Sequence, residues 1–151
     1  LLRSLVGSEM CIRDSRNPVD SAFSIYRNMF DSPGIGWAYK QDYLTKYIDL
    51  YNNLMFFWKK ELGDFIYESH YEKLVTEQVS ETKNILKFCN LEFEESCINY
   101  THNNIPSRTV SVLQVRDKIY NSSVNLSEKY YKHFPFLEQI KKKGPIKGPF
   151  K

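Results

Sequence analysis

The stretch "RNPVDSAFS", residues 16 to 24, sets a permanent cation, Arg16, directly before a helix start and a hydroxyl, Ser24, two turns further on. Asn17 is suited to cap that helix, Pro18 to occupy its first position, and Asp20 to face the positive end of its dipole. Asn17 and Ser24 are seven residues apart, which puts them on nearly the same helix face, about 10 Å apart along the axis. A guanidinium reaching from position 16, together with N–H groups at the helix mouth, can bracket a phosphate dianion, and the Ser24 hydroxyl can donate to the same group. A competing reading places Ser24 in a solvated stripe with Asp20, Arg27 and Asp31, and spacing alone does not separate the two. Other chemistry finds little material. His70, His102 and His133 lack the Cys or carboxylate spacing of a metal site, and no partner nucleophile accompanies them. Cys89 and Cys97 stand singly and are expected to pack as small apolar residues.

The elements that must hold these groups follow from hydrophobic period and breakers. The first helix is expected from Pro18 to about Asp31, with Ala22, Phe23, Tyr26, Met29 and Phe30 on its apolar face and "DSPGIG" as its stop. A second helix is expected from about residue 38 to 62 and closed by Gly63. Its stripe of Tyr43, Leu44, Tyr47, Ile48, Tyr51, Leu54, Met55, Trp58 and Leu62 reads as core. "DFIYESH" reads as a strand leading into "YEKLV". A helix over about residues 77 to 89 would point Val79, Ile85, Leu86 and Phe88 inward. "EFEESCINYTH" predicts a short helix, "NNIPSRTVSVLQV" a loop or extended stretch, residues 126 to 133 a final helix, and residues 141 to 151 a flexible tail. Helix, strand, helix is α/β grammar, but one strand makes no sheet, so its partners are expected upstream of Arg16.

Bulk properties narrow the classes. The chain has 151 residues, 42% hydrophobic and 26% charged, enough for one globular domain with a core. No apolar run approaches the roughly 20 residues of a membrane span. The net charge of +3 is misleading: residues 141 to 151 hold five lysines and residues 1 to 15 sum to zero, leaving −2 on residues 16 to 140. A nucleic-acid binder would carry its basic surface on the folded part, so no nucleic-acid partner is expected. Five lysines without an amphipathic helix beside them also make a poor lipid anchor.

Residues 1 to 15, "LLRSLVGSEMCIRDS", show neither helical nor strand periodicity and make a poor signal peptide. "EMCIRDS" can be encoded by nAG-ATG-TGT-ATA-AGA-GAC-AGn, which resembles a transposon end used in sequencing libraries. These residues are therefore expected to be an artefactual leader, and the chain a remnant of a longer protein.

Four ordered blocks, "RNPVDSAFSIYRNMF", "YEKLV", "ILKFCNLEFEESC" and "RTVSVLQVRDKIYNSSV", together resemble the C-terminal half of the sulfotransferases that use 3'-phosphoadenosine 5'-phosphosulfate. The likeness runs from Arg16 to about Ile140 and is strongest to bacterial members associated with tetratricopeptide repeats, relatives of the tyrosylprotein sulfotransferases. It implies an α/β fold, a parallel sheet flanked by helices as in P-loop kinases, of which this chain would hold mostly helices. It implies a cytoplasmic enzyme moving a sulfuryl group to a hydroxyl acceptor, with the nucleotide as cofactor and no metal. Arg16 and Ser24 would bind the 3'-phosphate, Tyr71 would lie by the adenine, and Ser111 would reach the nucleotide, with Gln114, Val115 and Arg116 continuing that block. The pattern departs from the family at Ser127, where Trp is usual, and at Lys118, where Pro is common. The six glycines, Gly7, Gly34, Gly36, Gly63, Gly144 and Gly148, cannot build a phosphate loop, so that loop and the general base are expected from missing sequence, leaving this chain inactive alone. The alternative function is a non-catalytic helical interaction module built on the long aromatic helix.

Overall fold

The structure, a computed structural model, describes residues 11–30, 33–99 and 119–143. Its elements are strand β1 (Cys11–Ser15), helices α1 (Pro18–Arg27) and α2 (Gln41–Leu62), strand β2 (Ile66–His70), and helices α3 (Tyr71–Thr76), α4 (Gln78–Phe88) and α5 (Pro135–Lys143). The architecture is mixed α/β and mostly helical. The chain divides into two compact units: Leu1–Ser15 with Tyr67–Ser122, and Arg16–Ile66 with Ser123–Lys151.

In the first unit β1 and β2 form a two-stranded sheet. Arg13 meets Glu68 at 2.8 Å and Ser15 meets His70 at 2.8 Å, so both strands run the same way and the pairing is parallel. The expectation for β2 holds, and it has a partner upstream of Arg16 as expected, but within this chain rather than in missing sequence. That partner is Cys11–Ser15, part of the stretch set aside as having no strand character. The reason is physical: β1 buries no alternating apolar set, so it carries no period-2 signal, and cross-strand polar pairs fix its register instead.

Helix α4 ends as the sequence asks. Asn90 takes the left-handed conformation (φ 53°). Its N–H reaches Lys87 O at 3.1 Å, and the Leu91 N–H reaches Leu86 O at 2.8 Å, together closing a Schellman motif. The inward face of α4 differs from expectation. Ile85, Leu86 and Phe88 are half-buried, with the Phe88 ring 5.4 Å from Tyr67, while Val79 is exposed and the buried side chain is Glu81. Cys97 is exposed rather than packed, and the helix expected around it is one short 3-10 turn, Glu95–Cys97.

The second unit is built on α1, α2 and α5. Its core comprises Val19, Ala22 and Phe23 of α1, Leu44 and Ile48 of α2, and Phe136, Leu137 and Ile140 of α5. Phe23 stacks on Tyr130 at 4.5 Å, and Tyr26 meets Phe136 at 5.2 Å. Helix α1 stops at Arg27, short of the expected end, because Asn28 turns to extended backbone. Met29 therefore leaves the apolar face and is 94% exposed. Helix α2 starts at Gln41 after a separate 3-10 turn, Gly36–Tyr39, and closes at Gly63, whose φ of 47° suits a residue without Cβ.

The aromatic stripe of α2 is core only in its first half. Leu44 and Ile48 are buried, but Tyr43, Tyr47, Tyr51, Leu54, Trp58 and Leu62 are exposed. The last helix also lies elsewhere than expected. Leu126–Tyr130 is a 3-10 turn and the true helix is α5. Helix α5 takes in Lys141, Lys142 and Lys143, expected in the tail, and these pair with Glu128, Glu138 and Asp49. Among the described residues no helix is long and apolar enough to cross a membrane.

Candidate functional site

The mouth of α1 forms as its sequence dictates. The Asn17 side chain accepts the N–H groups of Val19 at 2.9 Å and Asp20 at 3.4 Å, and Pro18 opens the helix. The Ser21 N–H turns back to Asn17 O at 2.9 Å. This corrects one expectation. Pro18 has no N–H and the next three are engaged within the helix, so backbone donors at this mouth are already used and any anion must be held chiefly by side chains.

Two of the expected side chains are here. Arg16 is half-buried, and its Nη2 donates to Ser123 O at 3.0 Å. Ser24 is half-buried two turns up the same helix, beside the buried Ala22 and Phe23. Both belong to the second unit. Tyr71 is the first residue of α3 and half-buried, in the first unit. Ser111, Gln114, Val115, Arg116 and Lys118 lie outside the described residues.

The solvated stripe is not what the spacing suggested. Asp20 is 2% exposed, Ser24 half-buried and Arg27 exposed, with its guanidinium over the Phe23 ring at 5.7 Å. Asp20 accepts the Asn125 N–H on Oδ2 at 2.7 Å and the Ser127 N–H on Oδ1 at 2.8 Å. A buried carboxylate needs such donors, and two backbone amides supply them. A faint signal exists in the sequence: Asp20 is three residues before Phe23, hence on the edge of the apolar face. Ser127, whose amide makes one of these bonds, is itself buried.

Two polar clusters of the first unit escaped the sequence. At the carboxyl ends of the parallel strands, Ser15 Oγ lies 2.8 Å from His70 Nδ1 and 3.2 Å from Ser69 O. Nothing local links positions 15 and 70, so no motif marks the pair. The second cluster surrounds Glu81, which is 1% exposed. It accepts Tyr67 OH at 3.0 Å and pairs with Lys73 Nζ at 2.9 Å. Burial alone would push the Glu81 carboxyl up. The hydrogen bonds from Lys73, Tyr67 and Asn84 and the Lys73 charge outweigh it and hold the carboxyl below its ordinary value. Lys73 is raised by the same hydrogen bond and charge. Tyr67 is raised by burial and then by its bond to the carboxylate. Among the described residues no group of His, Cys, Asp and Glu gathers with the makings of a metal site.

Comparison with known proteins adds an independent line. The model of a family described as "Sulfotransferase family" matches residues 10–95, more than half of the chain. A protein of Aquifex aeolicus (strain VF5), described as uncharacterized, is 30% identical over 131 residues. The match covers 85% of this chain and 17% of that relative, so the chain spans under a fifth of the relative's length. No solved structure matches.

Proposed function

From the premise that this chain belongs to the sulfotransferase family, we propose that it supplies the 3'-phosphate side of the donor site in a longer enzyme that uses 3'-phosphoadenosine 5'-phosphosulfate. Arg16 and Ser24 take the 3'-phosphate, Tyr71 stacks by the adenine, and Ser111 reaches the nucleotide. The 5'-phosphosulfate loop and the general base are assigned to sequence beyond these residues, on a P-loop-like fold. In the reaction the S–O bond to the 5'-phosphate breaks and a new one forms to the acceptor oxygen. The acceptor's proton goes to the base, and 3'-phosphoadenosine 5'-phosphate leaves. As in phosphoryl transfer, positioning and charge stabilisation carry such a step.

One observation carries the reading. A permanent cation sits at the mouth of α1, fixed on one nitrogen by Ser123 O at 3.0 Å, with a half-buried hydroxyl two turns along the same helix. Neither group is sealed beneath apolar neighbours. Arg suits a phosphate because its charge is permanent and its donors are planar. Calorimetry with 3'-phosphoadenosine 5'-phosphate tests it. The unmodified chain binds and Arg16→Ala binds about ten- to a hundredfold more weakly, the worth of a charge-assisted hydrogen bond. Equal affinities would remove the assignment.

A second reading, a helical interaction module, rests on the exposed run Leu54, Phe56, Phe57 and Trp58 of α2. Contiguous exposed apolar side chains of this size mark an interaction surface. That reading predicts free replacement of Arg16 and Ser24 and a loss of partner binding on Phe57→Ser with Trp58→Ser.

A further inference from the structure

Arg16, just before α1, and Asp20 in its first turn grip the 123–127 turn with both signs of charge. Arg16 donates to the Ser123 carbonyl at 3.0 Å, while Asp20 accepts the amides of Asn125 at 2.7 Å and Ser127 at 2.8 Å. Asn125 holds the left-handed conformation (φ 56°), and its amide and that of Ser127 converge on the one carboxylate. Resting on the nucleotide reading above, we propose that Asp20 is a positioning residue for the anion grip. By clamping residues 125 and 127 it fixes the Ser123 carbonyl, and that carbonyl sets the plane of the Arg16 guanidinium before any ligand arrives. The chemistry requires some such device. A guanidinium has only donors, so its orientation is decided by the acceptors that hold it. A carboxylate buried to 2% exposure with an amide on each oxygen is a stiff anchor for the turn that bears this acceptor. The expected phosphate grip depends on Arg16 side-chain geometry all the more because the α1 mouth amides are engaged.

A double-mutant cycle in the whole 151-residue chain tests this, with 3'-phosphoadenosine 5'-phosphate as the probe. Asp20→Asn keeps the size but turns an NH2 group against one of the two amides. It should weaken nucleotide binding about tenfold or more in the unmodified background, and cost nothing further in the Arg16→Ala background. Additive losses would mean that Asp20 only cements the fold, and would overturn the proposal, as would unchanged binding by Asp20→Asn. Should Asp20→Asn fail to fold, the unmodified protein still decides. Saturating nucleotide should slow hydrogen exchange of the Asn125 and Ser127 amides about tenfold or more, because ligand and clamp then stabilise each other. Exchange unchanged by nucleotide would overturn the inference. A failure of the nucleotide reading looks different: the unmodified chain itself would show no saturable binding, and both proposals would fall.

Discussion

Tyr67→Phe removes a phenol that donates to Glu81, a carboxylate 1% exposed, across 3.0 Å. A hydrogen bond to a charged group is worth about 1.5–3 kcal/mol. The Lys73 ammonium remains in place, but on the other carboxylate oxygen, Oε2 rather than Oε1. The predicted loss of stability is therefore about 1.5–3 kcal/mol, read from urea unfolding by far-UV circular dichroism at pH 7. Glu81→Gln should cost about 2–4 kcal/mol, because the buried amide loses both charge-assisted partners. The pH dependence has a definite sign. Glu81 titrates below its ordinary 4.5 when folded, so its contribution is complete above that pH and lost as pH falls through the lowered value. Lys73 and Tyr67 are raised above 10.5 and 10.0, so their contributions are complete below those values and lost as pH rises through the folded ones. Unfolding repeated from pH 6 to pH 3 should show a flatter acid limb for Glu81→Gln than for the unmodified chain. A Tyr67→Phe protein within about 0.5 kcal/mol of the unmodified one would refute the reasoning, as would an acid limb unchanged by Glu81→Gln.

Asn17→Ala removes the cap of α1 and leaves the Val19 and Asp20 amides without their side-chain acceptor. It should lower stability by about 1 kcal/mol in thermal unfolding, and Asn17→Asp should restore most of it. Leu137→Ala empties a fully buried position among α1, α2 and α5 and should cost about 2–5 kcal/mol in denaturant unfolding. Arg13→Ala breaks a half-buried cross-strand pair, each side chain only 23% exposed, and leaves the Glu68 carboxylate without that donor, so it should lower stability by about 1–3 kcal/mol in denaturant unfolding.

Local signals were legible and distant ones were not. Asn17 followed by Pro18 announced the start of α1, Gly63 the end of α2, and the aromatic and β-branched residues the strand β2. Each needs only neighbours in sequence. Strand β1 was opaque because its partners, Glu68 and His70, lie more than fifty residues away and it buries no apolar face. The role of Asp20 was hidden likewise, since its donors are at Asn125 and Ser127. Helix α5 leaves a local signal, but a weak one. Pro135 opens it and Phe136, Leu137 and Ile140 share a helical face, but it is short and runs into lysines. The stripe of α2 shows the opposite failure. Its period is genuine, yet periodicity states which residues share a face and not what covers that face.

The central claim, that Arg16 and Ser24 hold a 3'-phosphate, meets its most direct test in a comparison of two ligands on one protein. Calorimetry would set 3'-phosphoadenosine 5'-phosphate against adenosine 5'-phosphate, which differ only in that group. The account predicts a preference of about tenfold or more for the former in the unmodified chain, shrinking toward none when Arg16→Ala and Ser24→Ala are combined. Equal affinity for the two ligands in the unmodified chain, or a preference untouched by the double substitution, would contradict it.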